Sequence, residues 1–340
     1  MPELPEVETS KRDLELFFSG APVSGIKFHE KRIRVGDPSP DLPGPGWLGA
    51  GIDRHGKTLI MGFSRPETHI SPGENAPARP ILFLLSRFGM SGSWRRIDSR
   101  ANPPHSHLEI RFSDRNSRLV WVDPRRFGRI ELARDPRTAH LLSQVGPDAL
   151  AISPEELGAL LSCTSRPLRA ALMDQRLLAG IGNIYMAEVL FAARLSPFRK
   201  SSSLIPSEVR ALWTSLQAVL QAAIAEGGST IHSFSREDGR AGGYQRLHLV
   251  YGREGLPCAG CGLPVQRTTL EARSLYYCFS CQPGVRTDSR RMPSEDFLDG
   301  ERPDADRIDS VPQSAHDRKG NKDARSFPFS DTSRRDPVAR

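Results

Sequence analysis

The chain has 340 residues, 38% hydrophobic and 26% charged, with 47 Lys/Arg against 40 Asp/Glu and a formal net charge of +7. No apolar run approaches the ~20 residues of a membrane helix, the polar start lacks a signal-peptide layout, and five cysteines are too few for a disulfide framework, so a soluble protein of a reducing, cytoplasmic interior is expected. Residues 284–340 carry 12 Lys/Arg and 12 Asp/Glu, so the whole positive excess belongs to residues 1–283, and a basic body of that kind points to a polyanionic partner.

In chain order, the first residues are Met1-Pro2-Glu3-Leu4-Pro5-Glu6. A small second residue permits removal of the initiator Met, which leaves Pro2 with a secondary α-amine. Such amines titrate near ~7.7–8.0 and are partly unprotonated at neutral pH, so the group can attack an electrophilic sugar C1′ and form an iminium. Glu3 stands beside it as a carboxyl able to protonate a leaving group or a ring oxygen. On the hexapeptide alone, prolines that merely punctuate an exposed start are an equal reading.

Pro5 suits a first helical position, Val7, Leu14, Phe17 and Phe18 are apolar, and Gly20 is a stop, which predicts one amphipathic helix to Phe18. Short strands follow at Gly25–Arg34, Thr58–Phe63, Pro80–Leu85, His107–Phe112, Arg118–Val122 and Arg129–Ala133, with a long loop over Arg65–Arg79. Many short strands with turn signals argue a sandwich or barrel-like domain. After Ala133 helical patterns take over at 154–162, 168–178, 183–194 and 206–226, the first opened by Ser153-Pro154-Glu155-Glu156. A glycine-rich stretch at Asp238–Gly243 leads into a cysteine cluster, and beyond Gln282 apolar content collapses, as in a disordered tail.

Four constellations carry chemistry. Cys258-x2-Cys261-x16-Cys278-x2-Cys281 has the spacing of a tetrahedral zinc site. Four thiolates leave no open position, so one structural Zn²⁺ is expected, stapling two β-like runs, Gln266–Leu270 and Ser274–Tyr277, that flank Arg273. Gly180-Ile181-Gly182-Asn183 makes a tight turn between helices whose N–H groups could cradle a phosphate, with plain helix packing as the alternative. Asp123-Pro124-Arg125-Arg126-Phe127-Gly128 and Gly89-Met90-Ser91-Gly92 offer an Arg and two apolar side chains that could fill the hole left by a flipped nucleotide, although each segment alone is better read as turn chemistry, being rich in turn formers. Lys57 and His105 are weaker, isolated basic candidates.

Together the PELPEVET start, GMSG, DPRRFG, MDQRLLAGIGNIYMAEVLF and the terminal cysteine finger resemble the formamidopyrimidine-DNA glycosylases (Fpg/MutM type) of the Fpg/Nei superfamily, from Met1 to about Gln282. The resemblance implies an α+β chain: an N-terminal β-sandwich with an N-terminal helix, a helix–two-turns–helix domain and a C-terminal zinc-finger β-hairpin, with DNA between. It places the catalytic β-sandwich domain at 1–133, a linker at 134–148, the DNA-binding helices at 149–235, a lesion-covering loop at 236–247, the zinc finger at 248–283 and the tail at 284–340. It implies a monomeric, bifunctional glycosylase/AP lyase of base excision repair that removes oxidised purines from duplex DNA and nicks the strand by β,δ-elimination. Pro2 is then the nucleophile, Glu3 the acid that opens the sugar, Lys57 a phosphate contact and proton donor, and Arg273 the finger arginine linked to δ-elimination. His105, Arg125, Asn183, Met90 and Phe127 match DNA-contacting positions, the last pair with Arg125 filling the void.

The chain departs from the family pattern at Arg87, where His is usual, at Ser162–Ser165, where lysines are usual, and at Tyr244, shifted by one position. The Arg65–Arg79 insertion and the tail have no counterpart. Two other readings are an Nei-type enzyme for oxidised pyrimidines and a non-catalytic binder of damaged DNA. The PELPEV start and the Met/Arg/Phe trio oppose the first, and the intact Pro2, Glu3, Lys57 and Arg273 oppose the second.

Overall fold

The computed structural model describes residues 2–36, 42–65, 81–98, 102–229 and 241–284. Met1, most of the Arg65–Arg79 loop, residues 230–240 of the helical domain and lesion-covering loop, and the tail beyond Gly284 lie outside them.

Helix α1 (Leu4–Phe18) starts with a capping box, in which the Glu6 carboxylate accepts the Glu3 N–H at 2.7 Å. Its apolar face, Val7, Leu14 and Phe18, packs into the core of the sheet. Among the described residues that sheet is one continuous set of nine strands: β1 (Pro22–Phe28), β2 (Arg34–Val35), β3 (Trp47–His55), β4 (Thr58–Ser64), β5 (Leu82–Arg87), β6 (Ser93–Ile97), β7 (Ser106–Phe112), β8 (Arg118–Val122) and β9 (Arg129–Ala133). Their order is β2-β9-β5-β4-β3-β1-β7-β8-β6. Although β5 and β6 stand far apart in that order, the Trp94 indole on β6 donates to Ser86 Oγ on β5 at 3.0 Å. The sheet therefore folds over on itself, and the expected sandwich is a single hydrogen-bonded ribbon. Phe88, Trp121 and Trp94 stack edge-to-face between its layers, with centroids 5.2 and 5.5 Å apart.

The expected Gly25–Arg34 strand ends at Phe28, and a 3₁₀ turn occupies Lys31–Ile33. Strand β3 was not expected, because Gly49 and Gly51 weaken its strand signal. They mark a bulge in its pairing with β4, and a Cβ on Gly49 would lie 2.1 Å from the Phe18 carbonyl oxygen. Glycine is what lets the end of α1 press onto the strand.

The helical half comprises α2 (Pro154–Ser162), α3 (Leu168–Met173), α4 (Asn183–Ala192) and α5 (Pro206–Ala225). Ser153 and Glu156 cap α2 reciprocally at 3.1 and 2.9 Å. Helix α3 stops earlier than expected because Asp174 turns the chain, its carboxylate accepting the Arg176 N–H and its carbonyl those of Leu177 and Leu178. Leu172, Tyr185, Val189, Leu212, Leu216 and Leu220 form the core of this half. Hairpin β10 (Gln266–Leu270)–β11 (Arg273–Tyr277) turns through Glu271 and Ala272, both with positive φ. No described helix is long and apolar enough to cross a membrane.

Buried charges join the two halves. Arg54 on β3 donates to Glu8 of α1 at 2.9 Å and to Asp148 at 2.5 and 3.1 Å, and Asp148 also accepts the Gly56 N–H at 2.7 Å. Burial opposes ionisation of both carboxyls, but the Arg54 hydrogen bonds and charge, joined by Arg12 and Lys11 at Glu8 and by the Gly56 and Leu150 N–H groups at Asp148, together outweigh it and hold both below their ordinary values. Arg54→Ala leaves the buried Asp148 carboxylate without its cation, while Glu8 keeps Arg12 at 3.0 Å, and should cost about 3–5 kcal/mol in denaturant unfolding. Because the folded-state carboxyl pKa values are lowered, this contribution is complete above about pH 4.5 and is lost as pH falls through and below that range. The variant should accordingly converge on the parent protein in acid.

Candidate active site

The N-terminus runs into the turn that opens α4. Pro2 is buried, and Glu3 is 2% exposed. The Glu3 carboxylate accepts the backbone N–H groups of Gly182 at 2.7 Å, Ile184 at 3.0 Å and Tyr185 at 3.4 Å, and the Leu4 N–H donates to the Gly180 carbonyl at 3.0 Å. The helix N-terminus that sequence reading offered to a phosphate is thus occupied by the chain's own carboxylate, as its donor groups and dipole favour. Both glycines of the turn are required by this approach: a Cβ on Gly182 would lie 2.4 Å from the Glu3 carboxyl carbon, and one on Gly180 2.4 Å from Leu4.

Lys57, at the turn between β3 and β4, donates to the Ile181 carbonyl at 2.8 Å. Gln175 donates to the same carbonyl at 2.7 Å and accepts the Gly180 N–H, bracing the turn from within. Burial pushes the Lys57 ammonium pKa down; Glu3 and Glu6 oppose the shift, while Arg273 and Arg87 add to it. These five charged groups therefore share one electrostatic neighbourhood. The Asn183 amide donates to the Ser274 carbonyl at 2.8 Å, tying the start of α4 to the strand that begins with the exposed Arg273.

A second group sits at the end of β5 and β8. Asp123, fully buried, accepts Ser91 Oγ–H at 2.5 Å and the Gly128 N–H at 2.7 Å, and Ser91 Oγ accepts the Arg125 N–H at 3.1 Å. One carboxylate thus bolts the GMSG turn to the DPRRFG turn, so that Met90, Arg125 and Phe127 emerge together. The Arg125 guanidinium lies 4.9 Å from the Phe127 ring centroid, and Phe127 is 52% exposed. Gly89 is pressed so closely to Phe127 that a Cβ would fall 2.5 Å from its carbonyl carbon. His105, exposed and with φ 63°, accepts the Asp123 N–H through its own carbonyl, joining the same group.

The four finger cysteines converge. Their sulfurs all lie within 4.8 Å of one another, with Cys258–Cys281 at 3.8 Å and Cys261–Cys278 at 3.5 Å. Ligands about 2.3 Å from a tetrahedral centre stand roughly 3.8 Å apart, so the set fits one four-coordinate metal ion with no open position.

Residues 1–130 match the formamidopyrimidine-DNA glycosylase N-terminal domain family, and residues 145–235 match the formamidopyrimidine-DNA glycosylase H2TH domain family. A formamidopyrimidine-DNA glycosylase of Gluconobacter oxydans is 37% identical over 291 residues, covering 83% of this chain and 100% of the relative. One from Thermus thermophilus is 38% identical over 293 residues, covering 83% and 98%. The chain belongs to the formamidopyrimidine-DNA glycosylase family. Its fold matches the crystal structure of the Thermus thermophilus MutM (Fpg) protein with a TM-score of 0.70 at 36% identity, over 84% of this chain and 100% of that one. It also matches a Lactococcus lactis FPG mutant in complex with a Fapy-dG containing DNA, with a TM-score of 0.71 at 30% identity over 83% and 100%.

Within this glycosylase-family chain, sequence reading missed Glu6, Tyr185, Ser91 and Asp123 as parts of the site. Glu6 carried a signal, since a Glu three residues after Glu3 at a helix start is a capping-box pattern. Asp123 carried one only as a turn former. Arg87, noted as a departure, donates to the Leu141 carbonyl, and burial lowers its pKa. Tyr244, expected near a lesion-covering loop, is 5% exposed and packs against Tyr185 at 5.7 Å in the helical core.

Proposed function

We propose that the chain is a bifunctional DNA glycosylase/AP lyase that removes oxidised purines from duplex DNA. The observation that carries the reading is the convergence of Pro2, Glu3 and Lys57 on the Gly180–Asn183 turn, with Arg273 in the same electrostatic neighbourhood. Relatives of matching fold are described in complex with Fapy-dG containing DNA and with DNA containing an abasic site, which supports the choice of partner.

In this reading the Pro2 amine attacks C1′, the bond to the damaged base breaks, and an iminium links the chain to the sugar. Glu3 exchanges the proton that accompanies opening of the sugar ring. Loss of a C2′ proton expels the 3′ phosphate, and Lys57, whose lowered pKa makes it the readier donor, supplies a proton. Arg273 grips phosphate and assists the second elimination. Met90, Arg125 and Phe127 occupy the place of the extruded nucleotide, and His105 lies in the same surface group. Asn183, held at the start of α4 by its hydrogen bond to the Ser274 carbonyl, contacts a phosphate oxygen. The four cysteines hold one structural Zn²⁺, whose chemistry is to fix the hairpin carrying Arg273.

Single-turnover excision on duplexes containing a formamidopyrimidine, 8-oxoguanine or an oxidised pyrimidine tests the proposal. Excision of both purine lesions with nicking at the site is expected; a preference for the pyrimidine would assign the Nei-type activity, and binding without release of any base would make the chain a damage-binding protein. Gly182→Ala should slow excision about a hundred-fold, because its Cβ displaces the Glu3 carboxylate from its donors. Unchanged excision by that variant would remove Glu3 from the mechanism.

A further inference from the structure

A buried chain of polar side chains runs from α1 to the segment entering the cysteine hairpin. Glu6 accepts the Glu3 N–H and the Ser229 N–H, each at 2.7 Å, and the Tyr185 O–H at 2.5 Å. Ser229 Oγ lies 3.3 Å from the Tyr185 hydroxyl and 3.0 Å from His248 Nε2. His248 is itself buried, hydrogen-bonds the Tyr251 backbone, and sits between the rings of Tyr244 and Tyr251, each with its centroid 5.6 Å away. Gly228 makes the approach possible, since a Cβ there would lie 2.7 Å from Glu6 Oε1.

One assignment of protons satisfies the whole chain. The ring N–H of His248 goes to Tyr251, which leaves Nε2 an acceptor; the Ser229 hydroxyl donates to Nε2, and the Tyr185 hydroxyl donates to Glu6. Burial pushes the imidazole pKa down to about 4, against the Tyr251 backbone, so the ring is neutral at pH 7. Without that acceptor the Ser229 hydroxyl would turn towards Tyr185 or Glu6 and compete for their lone pairs. Glu6 would then shift, and the Glu3 N–H that it holds belongs to the peptide joining Glu3 to Pro2.

We propose that His248 is a positioning residue for the N-terminal nucleophile: by accepting the Ser229 hydroxyl it locks Ser229 onto Glu6, and Glu6 locks the Pro2–Glu3 peptide. The inference rests on the reading of Pro2 as nucleophile. It goes beyond that reading by giving a role to a histidine 246 positions away in the chain.

The test uses the full zinc-loaded chain and compares the parent, His248→Leu and His248→Gln. The amide oxygen of Gln reaches the place of Nε2 and keeps an acceptor there. The rate of borohydride trapping on an abasic-site duplex is measured alongside affinity for a tetrahydrofuran-containing duplex. The Leu variant should trap about ten-fold more slowly with affinity unchanged, and Gln should restore most of the rate. Ser229→Ala should match the Leu variant, and the double variant should be no slower than either single one. A Leu variant at the parental rate, Gln as slow as Leu, or a defect confined to affinity would each overturn the assignment of His248. A parent protein that traps no adduct at its N-terminus would instead sink the Pro2 reading.

Discussion

Keeping Met1, or adding any residue before Pro2, should abolish the borohydride-trapped adduct and lower strand nicking by about a thousand-fold or more, as for loss of a covalent nucleophile. The secondary amine disappears into a peptide bond and can no longer attack C1′, even though the Glu3 carboxylate keeps its bonds to Gly182 and Ile184. Lys57 is the competitor that makes the experiment informative. It lies against the same turn, and burial lowers its pKa, so it too is a nucleophile in waiting. Digestion of the adduct should recover the sugar on the N-terminal peptide. Recovery on the Lys57 peptide would reassign the nucleophile. Lys57→Arg should retain the N-terminal adduct while slowing its resolution by elimination.

Cys278→Ser should lose the metal, unfold the hairpin and reduce affinity for duplex DNA by at least a hundred-fold. A structural zinc site supplies on the order of 10 kcal/mol of folding free energy. The hairpin has little else to hold it: Leu275 is buried, whereas Gln266, Arg267, Thr269 and the turn residues are exposed. Arg273→Ala should keep the full metal content and still lose nicking, which separates the scaffold from the side chain it presents. Metal content by atomic absorption and affinity by titration decide the matter. A metal-free preparation with undiminished affinity would show that the finger folds on its contacts with α4 alone.

The elements that were legible in advance are those whose signals are local. Helix α2 starts where its Ser153 cap and capping box place it, because both partners lie within four residues. The hairpin around Arg273 follows from cysteine spacing, which constrains the chain wherever the metal sits. The PELPEV and GIGN segments were both singled out, yet their relation was not visible. Sequence reading gave the helix N-terminus at Asn183 to a phosphate, and the structure gives it to Glu3. Strand β3 was hidden for a similar reason, since Gly49 is there to admit the distant carbonyl of Phe18.

The sequence by itself determined the family, the helix caps, the metal-ligand set and the residue types available for chemistry, because these depend on side-chain identity and short spacing. Only the tertiary structure decided which groups meet. Glu3 reaches Gly182 across 179 residues, Arg54 reaches Asp148 across 94, and Ser229 reaches Glu6 across 223. Contacts at such separations are not encoded by either partner's neighbours. They exist because the folded-over sheet and the helical core each bury their apolar faces, and that burial offsets the loop-closure entropy of bringing distant polar groups into one dry site.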